Sequence, residues 1–434
     1  MTNIIDELIN NKIINYSSVN EYTLKSGIKS NIYIDIRKAI SLPILQKNIC
    51  NLYCEKINAN YFESFDYICG VPDGAVPLAS MLSYILSKPL LMLRKNQKKH
   101  GMGKLIEGEY KKNSKVLVIE DIVTTGQSVV DCVEKLREHN LNPVNIMCLV
   151  KRLNLSDVEI FHQTKSIPII SLIKMSDIIF KLKLSKSKLC VAADVSNMKT
   201  LEKVIKKVSP YASIIKLHID AINDFVPESN NMENTRNNNF VPEEQNSIQK
   251  LISWKDRYGV LLWEDRKFAD IAHITKNQIN NGIHKIAKWA DIVSVHCISG
   301  PEILNTTYPC KIFVIGQMSS CNTLADSEYL NKVLTIAESH NKETHIINNP
   351  VLSPDILSPY KTVIGIITQT NISTNLLKIV PGINNNKQKD SDQQYRNVQN
   401  VKDWADIIVV GRGIVNNIDL EEREFKQLCE NYMI

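Results

Sequence analysis

Short, nearly uninterrupted apolar runs alternate with stretches of helical period along most of the chain. "FDYICGV" (65–71) and "KVLVIEDIV" (115–123) have the continuous hydrophobicity of parallel strands covered on both faces. "GQSVVDCVEKLREHN" (126–140) instead spaces its apolar residues along one helical face, behind a Gly turn. This alternation predicts an α/β domain with a parallel sheet over residues 1–155. From Leu153 the pattern loosens and ends in the lysine-rich "KLKLSKSK", which predicts a linker over 156–187.

A second alternation follows. "LCVAADVS", "ASIIKLHIDAI", "GVLLWEDRKFADI", "ADIVSVHCI", "KIFVIGQMSS", "KTVIGIIT", "LLKIVPGI" and "DIIVVGRGI" are strand candidates, with helical stretches between most of them. Eight such units in about 250 residues have the count and size of a (β/α)8 TIM barrel, here over 188–434. "PESNNMENTRNNNFVPEEQNS" and "NNNKQKDSD" are too polar to build core. They are expected to be exposed insertions, the first a disordered one at about 226–247.

Length and composition add little that conflicts. The 434 residues exceed one ordinary core, and the net charge of +6 is too mild and too dispersed for a nucleic-acid footprint. Ten scattered cysteines favour packing over disulfides or metal, Cys50 and Cys54 having only helical-face spacing. No apolar run reaches the length of a membrane span, and "MTNIIDELINNKII" lacks the basic start and apolar core of a signal peptide. A cytoplasmic protein with no membrane or nucleic-acid partner is expected.

The candidate chemistry begins with "VLVIEDIVTTGQS" (116–128), where an apolar strand ends in two acids and a Thr/Gly turn opens a helix. Such a turn leaves backbone N–H groups free to hold phosphate, and Glu120 and Asp121 suit the vicinal hydroxyls of a ribose. The stretch resembles the phosphoribosyl-pyrophosphate motif of type I phosphoribosyltransferases. "YTLKSGIKSNIYID" (22–35) and "LRKNQKKHGMGKLIEG" (93–108) resemble orotate phosphoribosyltransferase in particular. The resemblance implies that Lys25, Tyr33, Arg94, Lys95, Lys98, His100, Thr124, Thr125, Gly126, Gln127, Ser128 and Arg152 join Glu120 and Asp121 in binding the pyrophosphate compound and orotate. It also implies Mg²⁺ carried by that substrate, with no direct side-chain metal ligands. A cationic loop is chemically apt, because pyrophosphate leaves with growing negative charge. Asp73-Gly74 departs from the Tyr-Lys found in many bacterial members, so no phosphate-binding lysine is assigned there.

In "WEDRKFADI" (263–271), an extended strand would point Asp265 and Lys267 the same way, inward in a barrel of this kind. The same arithmetic places Lys216, His218 and Asp220 of "IKLHID", and Asp194 of "VAADVS", at one mouth. Unpaired charges there would be prohibitive, whereas each opposite pair at about 4 Å gains roughly 4 kcal/mol before desolvation at an effective dielectric near 20. Lys–Asp–Lys–Asp is thus a self-supporting array.

"DRKFAD" has the D-x-K-x-x-D form of the orotidine-5′-monophosphate decarboxylase superfamily, and "KLHID", "GQMSS", "VPGI", "DQQY" and "VVGRG" match the decarboxylase itself. Transferase followed by decarboxylase resembles the bifunctional uridine-5′-monophosphate synthase family of pyrimidine biosynthesis. The resemblance implies that Lys216, Asp265, Lys267 and Asp270 are catalytic, Asp270 in a neighbouring subunit's site, so that the enzyme is a homodimer. Asp194, His218, Ile271, Ser319, Pro381, Gln393, Tyr395, Gly411 and Arg412 would hold the nucleotide, and the decarboxylase step would need no cofactor. Two positions depart from the family: Ala192 replaces a usual Ser, and Ile274 a usual Thr, with Thr275 rotated by about 100°. A competing expectation is a regulatory protein that senses phosphoribosyl pyrophosphate without catalysis. The retained Arg94, Lys98 and His100 and the intact charge array argue against it.

Overall fold

The computed structural model describes residues 4–16, 22–23, 29–58, 64–94, 105–152, 167, 169–227, 246–304, 310–343, 362–385 and 395–433. The chain divides into two compact units, the first running to Lys181 and the second starting at Leu182.

In the first unit β1 (Ile14–Tyr16) pairs antiparallel with β4 (Ile32–Ile34), and β2 (Tyr22–Thr23) with β3 (Lys29–Ser30). A six-stranded sheet contains β5 (Tyr67–Gly70), β6 (Leu90–Leu93), β7 (Ile106–Glu107), β8 (Lys115–Val123), β9 (Asn142–Lys151) and β10 (Ile169–Lys174). Its order is β10-β9-β8-β5-β6-β7, parallel except for β6–β7. The central β8 is buried from Val116 to Glu120, as its unbroken apolar run requires. Helix Gln127–Glu138 lays Val129, Val130, Cys132, Val133 and Leu136 into the core.

One boundary differs from the sequence reading. Of the stretch 156–187, expected to be a linker, the described part supplies β10, which pairs in parallel with β9, and helix Met175–Leu184. "PIIS" is a short apolar run whose partner lies far back in the chain, so local composition alone does not reveal it as a strand.

The second unit is a closed parallel barrel of β11 (Leu189–Ala192), β12 (Ile214–Leu217), β13 (Leu261–Phe268), β14 (Ile292–Val295), β15 (Lys311–Ile315), β16 (Val363–Ile367), β17 (Leu377–Val380) and β18 (Ile407–Val410). These are the eight strands expected, and β18 closes onto β11. Outward residues such as Val191, Leu262 and Val293 pack with Leu201, Val204, Ile205 and Val208 of helix Met198–Val208 and with other apolar residues of the helical layer. Inside, Trp263 meets Phe313 edge-on, with ring centroids 5.0 Å apart. Helix starts use side-chain caps, Asn197 accepting from Thr200 N at 2.8 Å and Asn246 from Ile248 N at 2.8 Å.

All ten cysteines are unpaired, and Cys50 is buried in helix Pro43–Asn58 as the packing expectation has it. Among the described residues no helix is long and apolar enough to cross a membrane.

Of the Asn-rich insertion at about 226–247, residues 228–245 lie outside the described residues. Its two ends meet: Val226 N donates to Ser247 Oγ at 2.9 Å, and Ser247 N to Val226 O at 3.0 Å. The gap that any connection must span is therefore already closed by the barrel. Loop length changes closure entropy only slowly, about 0.6 kcal/mol per doubling. Replacing 228–245 by a short Gly/Ser link is expected to leave thermal unfolding of the chain within a few degrees of wild type. A large drop in midpoint by calorimetry would give the insertion a structural role.

Candidate active sites

Within the barrel, a cavity of about 560 Å³ opens among the strand ends, large enough for a nucleotide. Asp194, Lys216, His218, Asp265, Lys267, Ser319, Pro381, Tyr395, Gly411 and Arg412 all line it. All ten are among the residues expected at one site, and they arrive on loops and ends of β11, β12, β13, β15, β17 and β18.

Asp265 is the hub. Its Oδ2 lies 2.8 Å from Lys267 Nζ and 3.3 Å from Lys216 Nζ, and its Oδ1 accepts from Ser294 Oγ at 2.5 Å. Burial opposes ionisation of this carboxyl, but the two ammonium groups and the Ser294 bond outweigh it and hold it below the usual carboxylate range. Burial likewise disfavours the charge on Lys216. Asp265 and Asp194, whose Oδ1 is 3.4 Å away, reverse that and keep its pKa raised. Lys216 Nζ also sits 2.8 Å from His218 Nε2, and burial together with Lys216 lowers the imidazole pKa, which favours the neutral ring that can accept a hydrogen bond from the ammonium.

The backbone departs from the regular strand assumed above. Lys267 has φ of +58° and the β13–β14 register shifts between Glu264 and Phe268. A non-glycine residue there is strained, and the strain lets Lys267 fold back onto the carboxylate two positions earlier. Phe268 O accepts from His296 N at 2.8 Å, which fixes the strand beyond the irregularity.

Asp220 is a correction. β12 ends at Leu217 and a 3-10 turn follows, so strict alternation fails before residue 220. Asp220 turns to Arg266 Nε (3.3 Å) and His284 Nδ1 (3.4 Å) and does not line the cavity. Asp270 and Ile271 are exposed and also lie outside its lining, and Gln393 falls outside the described residues. Thr275 is buried, its Oγ1 donating to Asp270 O at 2.9 Å, while Ile274 is exposed. Ala192 lines the cavity without offering a polar atom.

Arg412 sits with its guanidinium carbon 5.5 Å from the Tyr395 ring centroid, a cation–π distance. The cavity thus gathers three cations, Lys216, Lys267 and Arg412, against the carboxylates of Asp194 and Asp265. That balance favours an anionic ligand.

Three participants were missed in the sequence. Ser294 looks like an ordinary polar residue in "DIVSVH". Gln317 lines the cavity with its Oε1 accepting from Thr368 Oγ1, Gln369 N and Thr370 Oγ1. Glu264 is wholly buried on the outward face of β13. Its detectable signal was an acid at the helix-facing position of a buried strand.

In the first unit, Gly126 starts helix Gln127–Glu138 with φ of +80°, a conformation that glycine adopts without strain. Thr124, Thr125, Gln127 and Ser128 are exposed around that turn, beside the helix N-terminus. Glu120 is buried and accepts from Asp121 N at 2.9 Å, while Tyr53 OH holds its carbonyl at 2.9 Å. Asp121 Oδ1 accepts from Ile122 N at 2.7 Å. Gly74 faces the same carboxylate, where a Cβ would stand 2.7 Å from Asp121 Oδ2. The Asp73-Gly74 departure therefore leaves room for Asp121.

Arg152 donates to Ser30 Oγ at 2.6 Å and to Ile32 O, drawing the β3–β4 turn and Tyr33 toward the end of β9. Arg94 is held at the base of its loop, Nη2 lying 2.7 Å from Glu107 Oε1 and its N–H donating to Leu105 O. Lys25, Lys95, Lys98 and His100 lie outside the described residues.

Residues 187–423 match the family model described as orotidine 5'-phosphate decarboxylase / HUMPS. The chain belongs to that family. Residues 44–179 match the phosphoribosyl transferase domain model, so the first unit is a transferase domain. Uridine 5'-monophosphate synthase of Bos taurus is 27% identical over 488 residues, spanning 95% of this chain and 94% of its own. Orotidine 5'-phosphate decarboxylase of Pachysolen tannophilus is 32% identical over 245 residues, 53% of this chain and 78% of its own. Orotate phosphoribosyltransferase of Pyrococcus horikoshii is 45% identical over 152 residues, 34% of this chain and 79% of its own. The order of the two domains in the decarboxylase family chain is the order expected from its motifs.

Proposed function

We propose that the first unit transfers the phosphoribosyl group of phosphoribosyl pyrophosphate to orotate, and that the barrel converts the resulting orotidylate to uridylate and CO₂. The domain boundaries that serve this division are a transferase domain through β10 and a decarboxylase domain from β11 onward. The observation that carries the reading is Asp265 gripped by Lys216 and Lys267 in a cavity that Arg412 also lines.

Decarboxylation breaks the bond from C6 to the carboxylate and leaves the electron pair on C6, with no carbonyl placed to delocalise it. Lys267 supplies a positive charge for that pair and then a proton, which solvent restores. Asp265 stands against the leaving carboxylate and keeps Lys267 in place, and Lys216 holds Asp265. Arg412, with Tyr395 and Gln393, binds the phosphate, whose binding energy helps to close the site. Asp194 and His218 take the ribose, and Ser319 and Pro381 the pyrimidine. No cofactor enters this step.

In the transferase, the turn Thr124–Ser128 holds phosphate, Glu120 and Asp121 the ribose hydroxyls, and Arg152, Lys25 and Tyr33 the orotate. Lys95, Lys98 and His100, with Arg94 at the loop base, neutralise the departing pyrophosphate. Among the described residues no group of three or more His, Cys, Asp or Glu is placed to hold a metal ion. Mg²⁺ fits as an ion bound by the substrate's own phosphates, near Glu120 and Asp121, where it would orient the pyrophosphate. A homodimer with shared decarboxylase sites, in the reducing cytoplasm that suits ten unpaired cysteines, completes the reading.

Incubation with orotate, phosphoribosyl pyrophosphate and Mg²⁺ is expected to yield uridylate, pyrophosphate and CO₂. Excess EDTA should stop orotate consumption and leave conversion of added orotidylate unchanged. Chelator-sensitive decarboxylation, followed by release of labelled CO₂, would place the metal in the wrong half of the reaction.

A further inference from the structure

Residues at the outward positions of β13 should be apolar, because they enter the layer between strands and helices. Leu262 obeys this and belongs to that core. Two positions on, Glu264 points the same way and has no exposed surface. Its Oε2 accepts from Ile219 N at 3.0 Å, while Oε1 has no hydrogen-bond partner among the described residues. An acid in such a place costs stability unless it does something that Leu could not.

Ile219 opens the turn directly after His218, and Leu217 is the register partner of Glu264. At that point β12 stops, so the Ile219 N–H is beyond the ladder and needs another acceptor. The bond joins the helix-facing side of β13 to the end of the strand whose inward residues are Lys216 and His218. We propose that Glu264 is a positioning residue of the decarboxylase, which by holding the Ile219 N–H fixes the strand end that presents Lys216 and His218 to the cavity. This rests on the decarboxylase reading of the barrel.

The protonation state supports it. Burial pushes the Glu264 carboxyl up to about 8, the Ile219 bond opposing the shift; Asp265 and Asp220 add to it, and Lys216 acts against it. Near pH 7 the group is mostly the neutral acid. Above about 8 it becomes a carboxylate, which the Ile219 N–H binds more tightly, but its charge is then buried beside Asp265 and Asp220, and that repulsion should disturb the charge array as pH rises through that value.

The test uses the full chain with orotidylate as substrate. Glu264→Leu leaves Ile219 N–H unpaired and should raise KM about tenfold, with a smaller fall in kcat because Asp265, Lys267 and Ser294 keep their own bonds. Glu264→Gln keeps an acceptor oxygen, so KM should return to within about threefold of wild type. It should also lack the alkaline decline in kcat/KM expected of wild type near pH 8, since an amide does not titrate. Leu with KM and kcat both within twofold of wild type overturns the proposal; a Gln variant with the wild-type alkaline decline removes only the titration of Glu264 from it. If Leu unfolds the barrel while orotate consumption persists, the KM of the Gln variant decides: it keeps an acceptor for Ile219 N, so a rise of tenfold or more overturns the proposal. A wild-type chain that released no CO₂ from orotidylate would instead sink the decarboxylase reading and this proposal with it.

Discussion

Lys267→Ala should abolish CO₂ release and leave orotidylate to accumulate from an intact transferase. The expected loss is large because one side chain carries two roles. A preorganised charge aimed at a developing anion is worth about 10²–10³ in rate, and a positioned acid about 10²–10⁴. Together they set a fall in kcat of at least about 10⁴-fold. The substitution also removes the 2.8 Å partner of Asp265 Oδ2, but Lys216 and Ser294 remain to hold that carboxylate. The fold should therefore survive, and orotidylate formed from orotate and phosphoribosyl pyrophosphate should be seen by chromatography at the wild-type rate. Asp121→Asn is the reciprocal lesion, expected to stop orotate consumption while added orotidylate is still converted. A folded Lys267→Ala chain that lost both reactions would break the two-site account.

The architecture was legible where periodicity is strong. The eight runs from "LCVAADVS" to "DIIVVGRGI" are each long enough and apolar enough to register as buried strands, and all eight close into the barrel. β10 escaped because its six residues follow a polar stretch, and only pairing with β9 across the sheet defines it. The cavity was legible in part for a similar reason. Asp194, Lys216, Asp265 and Arg412 stand at the ends of apolar strands, where charge needs an explanation. Asp220 shares that sequence signal, yet β12 stops at Leu217 and the turn sends it to Arg266. Ser294, and Gln317 within "GQMSS", carry no assigned role in the sequence because a hydroxyl or an amide at a strand end has many uses, and only the partner on the neighbouring strand or its loop selects one. Glu264 carries a sequence signal, an acid at an outward strand position, but its partner Ile219 lies in the turn after the neighbouring strand, where sequence spacing cannot place it.

Mixing two inactive variants should restore decarboxylation. Asp270 belongs to the same short motif as Asp265 and Lys267, yet it is exposed, does not line its own cavity, and uses Oδ1 to cap Ile271 N at 2.7 Å. If its carboxylate works in a neighbouring subunit's site, each centre contains Lys267 of one chain and Asp270 of the other. Lys267→Ala and Asp270→Asn homodimers are then both nearly inactive, because every site carries one lesion. Unfolded and refolded as an equal mixture, they give about half heterodimers by random pairing, if the interface is indifferent to the substitutions. In each heterodimer one site collects both lesions and the other has none. Activity should return to about a quarter of wild type, against a background at least a hundredfold lower. Were Asp270 to serve its own chain, every site in the mixture would keep a single lesion and nothing would be regained. A tagged chain co-purifying with an untagged one shows that exchange has occurred, so absence of rescue in that sample removes the shared site. Rescue, in turn, makes the dimer a requirement of the chemistry, because no single chain could then assemble a complete array.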